Sequence, residues 1–259
     1  MQRSYGHRPN PTDTRDRHAA GLIAYDADIP ESVSNRDLIQ LGCYQFSTST
    51  CVAMTVAGLC FAEQRRQGKT RLDAKGISPG ATYYAGLRRE LGPDAVLTDF
   101  GSIPREVCQA AREIGLVDFA VWPYPNSFAQ DSLAVLAEPP QEAFQAGSDR
   151  DWFGYYSVPE TGEERKTAVK RLLSSRKLVG GAWLVDEAFE QAPPWWNWPG
   201  CRGAPLGGHM FSLIGYDSLG LTVWNSWEGW GDADCGRIAW TALDEAMDLT
   251  VVEIDLDKW

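Results

Sequence analysis

The sequence predicts an α+β fold of two lobes, and three observations carry that expectation. The first half holds long stretches with helical periodicity, the second half holds short apolar or β-branched runs separated by turn residues, and 44% of the 259 residues are hydrophobic, ample for a sizeable core. Sites often form in the cleft between two such lobes. The predicted division is a polar arm over residues 1–28 followed by one domain over 29–259, with a helical lobe to about residue 125 and a strand lobe from about 126.

The arm is polar and punctuated by proline, and is expected to lie on the surface of something larger instead of folding alone. From Cys51 the pattern changes. "CVAMTVAGLCFAEQRRQG" is apolar nearly all round for three turns and then polar, which predicts a helix buried at its start, exposed at its end and closed by Gly68. "ISPGATYYAGLRREL" places Ser78 and Pro79 at a helix start, with Tyr83, Leu87 and Leu91 recurring at four-residue spacing. "SIPREVCQAAREIG" repeats the arrangement, with Ser102 as N-cap, Pro104 in the first turn and Gly115 at the end. Strands follow in "LVGGAWLV", "HMFSLIGYD", "LTVWNSW", "GRIAW" and "TVVEIDL", with "ETGEERKTAVKRLLSSRK" as the helical stretch among them. There is no internal repeat.

Charge and apolar runs exclude several function classes. The net charge of −11, with no basic patch longer than "RR", argues against a nucleic-acid partner, whose polyanion needs clustered Lys and Arg. The longest apolar run, residues 51 to 62, falls short of the ~20 residues of a membrane span, so no membrane partner is expected. The N-terminus has no apolar core of the kind a secretory signal needs. A cytoplasmic, reducing compartment follows as an expectation, in which the six cysteines stay mostly reduced. The three histidines, His7, His18 and His209, show no metal-ligand spacing, so no metal or organic cofactor is expected.

A thiol becomes a nucleophile at neutral pH when a helix N-terminus or a neighbouring imidazolium stabilises its thiolate. Cys51 opens the buried helix, whereas Cys60 lies two to three turns in on an apolar surface and is expected to pack. His209, in "GGHMFSLIGYD", is the one histidine outside the arm, and the preceding glycines permit close approach of another segment. His7 and His18 are expected to be solvated. In "VWNSWEGWGD", Asn225 is a neutral amide able to accept the imidazole N–H, with Trp227 placed to shield that bond from water.

The last two segments resemble the histidine and asparagine segments of the papain-like cysteine peptidases of bacterial and viral type, which read approximately GGHAVLIVGYD and NSWGxxWGxxGYxRI. Others agree in order: "IPESVSNRD" with an LPxSVDxR entry, "ISPGATYY" with an LSPxxxYY helix, "TDFGSIPREVCQAAREIGL" with a DxGxxIRDAxxxxxxxG segment, "VWPYP" with its continuation, and "YGHRPNPTDTRDRHAA" with the leader. The resemblance covers most of residues 5 to 240. It implies a papain-like two-lobed fold, a helical lobe facing an antiparallel, barrel-like strand lobe, with peptide-bond hydrolysis in the cleft. Cys51 would be the nucleophile, His209 its acid and base, Asn225 the residue that orients His209, and Gln45, six residues before Cys51, an oxyanion donor. Gly101 and Ser102 match the segment that pairs with substrate backbone. The nucleophile turn "STSTCVA" departs from the family's Gly-Ser-Cys-Trp, so its shape is expected to differ, and "NSWE" replaces NSWG, a change of small consequence where Glu228 points to solvent.

The resemblance also implies that the long inhibitory segment of lysosomal members is absent, so that regulation comes from elsewhere. A Cys201–Cys235 bridge is conceivable, because the family often staples this region. "PPWWNWPG" offers Trp195, Trp196 and Trp198 either as a loop folded back on the strand lobe or as a contact surface for a peptide or protein partner. Two alternatives stay open: a papain-like domain serving as a binding or structural component of a larger assembly, such as a virus particle, with little turnover; and acyl transfer to an amine instead of water.

Overall fold

The computed structural model describes residues 3–23, 28–39, 42–69, 76–125, 131–150, 153–193 and 196–258. Its centre is helix α1, Cys51–Arg66, in which every residue from Cys51 to Gln64 is buried. An all-round apolar helix needs partners on all sides, and α1 has them: helices α2 (Pro79–Leu91) and α3 (Pro104–Ile114) cover part of its surface and the sheet covers the rest. Helix α2 starts as expected, with Ser78 Oγ accepting the Ala81 N–H at 3.1 Å and Pro79 at the first helical position. Helix α3 differs in its cap. Ile103 holds that position, and Ser102 is wholly buried with its backbone committed to another segment.

The sheet has strands β1 (Val33–Ser34), β2 (Phe153–Ser157), β3 (Val179–Val185), β4 (Asn197–Trp198), β5 (Gly207–Tyr216), β6 (Gly220–Trp224), β7 (Cys235–Ala239) and β8 (Asp248–Ile254). Their spatial order is β2-β8-β3-β5-β6-β7-β4, with β1 pairing onto β5. All pairs are antiparallel except β4 with β7. Strand β5 is the pivot, buried from His209 to Tyr216, and it sets His209 opposite Trp183 of β3. The simple order of helices then strands is crossed by β1, which belongs to the first half of the chain, and by two α-helices that fall between later strands. A two-residue strand such as β1 carries no periodicity to read, and neither does β4.

Helices α4 (Gln141–Gly147), α5 (Gly162–Ser174) and α6 (Glu187–Glu190) complete the set. Of the Trp-rich loop, Trp195 lies outside the described residues. Trp196 is half-buried against the core, and Trp198 is fully buried with its indole N–H donated to Asp186 Oδ1 at 3.1 Å. Trp198 is therefore a core residue, and its proposed place on a contact surface is corrected: the indole finds its polar partner inside, which makes full burial affordable only there. None of the six cysteines is in a disulfide, so Cys201 and Cys235 are not bridged. Among the described residues no helix is long and apolar enough to cross a membrane.

Candidate active site

Cys51 occupies the first position of α1, where backbone N–H groups lack intrahelical acceptors. The departing turn before it is held by hydroxyls. Thr48 Oγ1 bonds the Gln45 carbonyl at 2.6 Å and Thr50 Oγ1 at 2.8 Å, and Tyr124, from the "VWPYP" segment, bonds Thr50 at 2.9 Å. The β-branched Thr50 thus fits this turn because its hydroxyl has somewhere to go. That network also explains why Thr50 does not cap α1 with its side chain.

On the facing strands, His209 Nε2 bonds Asn225 Oδ1 at 2.8 Å. Because the amide oxygen can only accept, Nε2 carries the proton and Nδ1 presents a lone pair, with no hydrogen-bond partner of its own. Trp227 stacks on the imidazole with ring centroids 4.0 Å apart, excluding water from the His209–Asn225 bond. The Asn225 backbone N–H is anchored on the Asp234 carbonyl at 2.8 Å. Gln45 joins the two sides of the cleft: its N–H bonds the Ser226 carbonyl at 3.0 Å and its Oε1 accepts the Ser226 hydroxyl at 2.7 Å. Glu228 is exposed, so its replacement of glycine in "NSWE" leaves the site unobstructed by that side chain.

The cleft is filled by the chain's own arm. Ser102 N–H donates to the Gly6 carbonyl at 2.7 Å, Arg8 N–H to the Ser102 carbonyl at 3.0 Å, and His7 N–H to the Gly208 carbonyl at 2.9 Å. The arm thus lies as an extra strand between the two walls, parallel to the Ser102 segment. A Cβ on Gly6 would fall 1.8 Å from the Ser49 carbonyl oxygen, and one on Gly101 would fall 2.1 Å from the Gly6 carbonyl oxygen, so both close approaches demand glycine. Gln45 Nε2 donates to the Ser4 carbonyl at 3.0 Å. Beyond Gly6, His7 Nε2 pairs with Asp248 at 2.6 Å, and Asn10 donates to the same carboxylate through its side chain at 2.8 Å.

Three sequence expectations change here. His7 is buried and hydrogen-bonded to Asp248, not solvated; His18 is exposed, as expected. The arm rests on the surface of its own domain. A segment that covers the cleft is part of this chain, and what betrays it in the sequence is a glycine in the otherwise bulky "SYGHR".

With the arm in place, Cys51 and His209 are both fully buried. Burial pushes the Cys51 thiol up to about 11, only partly offset by the Met210, Gly6 and Val52 backbone N–H groups that face it. Burial likewise drives His209 down to about 3, against the opposing effect of its bond to Asn225. A sealed cleft penalises both charged forms, so the pair is held as neutral thiol and neutral imidazole.

A further group lies in the segment that resembles DxGxxIRDAxxxxxxxG, where the sequence assigns it no role. Asp99, in "TDFGS", accepts the Ser49 N–H at 3.0 Å and the Tyr83 hydroxyl at 2.7 Å, while Tyr83 Oη accepts the Gly101 N–H at 3.1 Å. One carboxyl therefore ties the nucleophile turn to the Gly101–Ser102 segment.

No protein-family model matches the chain, and no curated protein matches its sequence. Solved structures do. Xylellain, a cysteine protease from Xylella fastidiosa, superposes with a TM-score of 0.83 at 18% identity over 98% of both chains. Procathepsin B S9 from Trypanosoma congolense gives 0.67 at 16% identity over 89% of this chain and 79% of that one. The bromelain protease of Ananas comosus, solved in complex with the E64 inhibitor, gives 0.65 at 17% identity over 88% of this chain and all of that one. The agreement in element order and in nearly full-length superposition establishes that this chain has the papain-like, two-lobed fold of the cysteine proteases.

Proposed function

We propose that the protein is a thiol peptidase whose cleft is closed at rest by residues 4–8 of its own arm. Cys51 is the nucleophile, His209 takes and returns the proton through Nδ1, and Asn225 fixes the imidazole tautomer. Gln45 Nε2 and the Cys51 N–H receive the oxyanion. The observation that carries this reading is the His209–Asn225 bond at 2.8 Å, which leaves Nδ1 unpartnered, in a cleft that already holds an extended peptide by main-chain hydrogen bonds.

Turnover requires the arm to withdraw. Water then re-enters, the charged forms are no longer penalised, and His209 takes the Cys51 proton through Nδ1 as the sulfur engages a carbonyl. The thiolate attacks a peptide carbonyl, His209 protonates the leaving amine, and water, deprotonated by His209, releases the acyl group. The seated arm is spared because it presents the Gly6 N–H to the sulfur and commits the Gly6 carbonyl to Ser102.

A peptide bearing a thiol-directed electrophile tests the reading on the full chain. Slow modification of Cys51 that vanishes in His209→Ala supports it. Modification of Cys51 unchanged by His209→Ala, or none under conditions that open the arm, assigns the domain to binding instead, a reading favoured by the complete burial of Cys51.

A further inference from the structure

The arm places an arginine at each end of the cleft, each over an aromatic ring with a carboxylate nearby. The Arg8 guanidinium lies over the Phe100 ring, 4.3 Å from its centroid, forks onto both oxygens of Glu90, and donates to the Gly101 carbonyl at 3.2 Å. At the other end the Arg3 guanidinium lies 4.6 Å above Trp227, with Glu190 at 4.0 Å. An aromatic face, a carboxylate and a backbone carbonyl converging on one planar cation match a guanidinium in particular: the fork fits a carboxylate bidentately and the flat face stacks, neither of which an ammonium does.

When the arm leaves, the Phe100–Glu90 receptacle stays, because its parts belong to the domain. Glu90, only 15% exposed with Arg8 in place, then lacks its partner. We infer that Glu90 and Phe100 form a guanidinium subsite of the open cleft, so that the preferred substrates are peptides bearing arginine at the position beside Gly101, and that Arg8 holds the arm down by occupying this subsite. The inference rests on the peptidase reading for the word substrate. The binding it describes needs no chemistry. The chain's net charge of −11 adds a long-range attraction for basic peptides in the same direction.

The test measures fluorescence anisotropy of labelled alanine-based hexapeptides, each carrying one arginine at a different position, against the full chain bearing Cys51→Ala, Arg3→Ala and Arg8→Ala. The matched set carries citrulline, which keeps the shape and loses the charge. Residual competition from the arm affects both sets equally and cancels in the ratio. At one position arginine is expected to bind about 10-fold or more tightly than citrulline, with lysine intermediate. Glu90→Gln erases the difference, and Phe100→Ala, which leaves the carboxylate in place, reduces it. Equal binding of the two sets, no binding of either at millimolar peptide, or a preference that survives Glu90→Gln overturns the inference. Because Cys51 is absent from the assay, these outcomes are independent of whether Cys51 acylates.

Discussion

The side-chain amide of Gln45 donates to the carbonyl oxygen of Ser4 at 3.0 Å, so an arm carbonyl occupies the position to which an oxyanion donor would point. Gln45 is itself fully buried and locked through Ser226, which leaves that N–H aimed in one direction. Replacing Gln45 with alanine removes one preorganised donor, and kcat should fall about 10²–10³-fold with KM little changed. Steady-state kinetics on a fluorogenic peptide, with thermal melting to confirm the fold, reads this out.

Gly6 is the position where the arm comes closest to the nucleophile turn. A Cβ placed 1.8 Å from the Ser49 carbonyl oxygen forces backbone to move, and overpacking of this kind costs about 1–3 kcal/mol. Gly6→Ala should therefore shift the arm toward release and raise the rate of Cys51 alkylation about 10- to 100-fold. Gly21→Ala, whose added Cβ meets nothing within 4 Å, is the control expected to leave the rate unchanged.

The comparison of Gly6 with Cys51 shows what a sequence makes legible. Cys51 follows from local rules: a buried helix has a start, and its start favours an anion. His209 and Asn225 follow from strand order, and β5 and β6 do bring them together. The need for Gly6, by contrast, exists only once the Ser49 carbonyl is beside it, a contact between segments 43 residues apart. Asp99 was silent for the same reason, since an aspartate in a turn has a sufficient local explanation and its link from Ser49 to Tyr83 is purely tertiary. The short strands β1 and β4 are made by their neighbours, and no periodicity in two residues announces them.

Asp99 gives a prediction that separates shape from charge. Burial raises its carboxyl above the ordinary value. A carboxyl raised on folding opposes stability as pH rises through its unfolded value, so the neutral Asp99→Asn, which keeps an acceptor for the Ser49 N–H, should be as stable as the parent or more so above about pH 5. Asp99→Ala leaves the buried Ser49 N–H and Tyr83 hydroxyl without that acceptor, and should lose about 1–3 kcal/mol in urea denaturation. In activity, Asp99→Ala should raise KM through the loosened Gly101 segment, with Asp99→Asn recovering most of it.

Seating the arm should itself depend on pH, through the two groups it seals. In the closed cleft His209 takes up its proton only near about 3 and Cys51 loses its proton only near about 11, against 6.5 and 9.0 for ordinary side chains. A base with a depressed value binds its proton better when the cleft is open, so closure weakens as pH falls through 6.5 toward 3. An acid with a raised value loses its proton more readily when open, so closure also weakens as pH rises through 9.0 toward 11. The arm should be most firmly seated between 6.5 and 9.0, with opening growing at most about tenfold per pH unit on either side. Hydrogen exchange at the His7 and Arg8 amides, corrected for the intrinsic pH dependence of exchange, measures it directly, because both N–H groups are bonded across the cleft. His209→Ala should abolish the acid limb and keep the alkaline one, whereas protection that is flat from pH 8 down to 4 would mean that desolvation of these two groups does not govern the closed state.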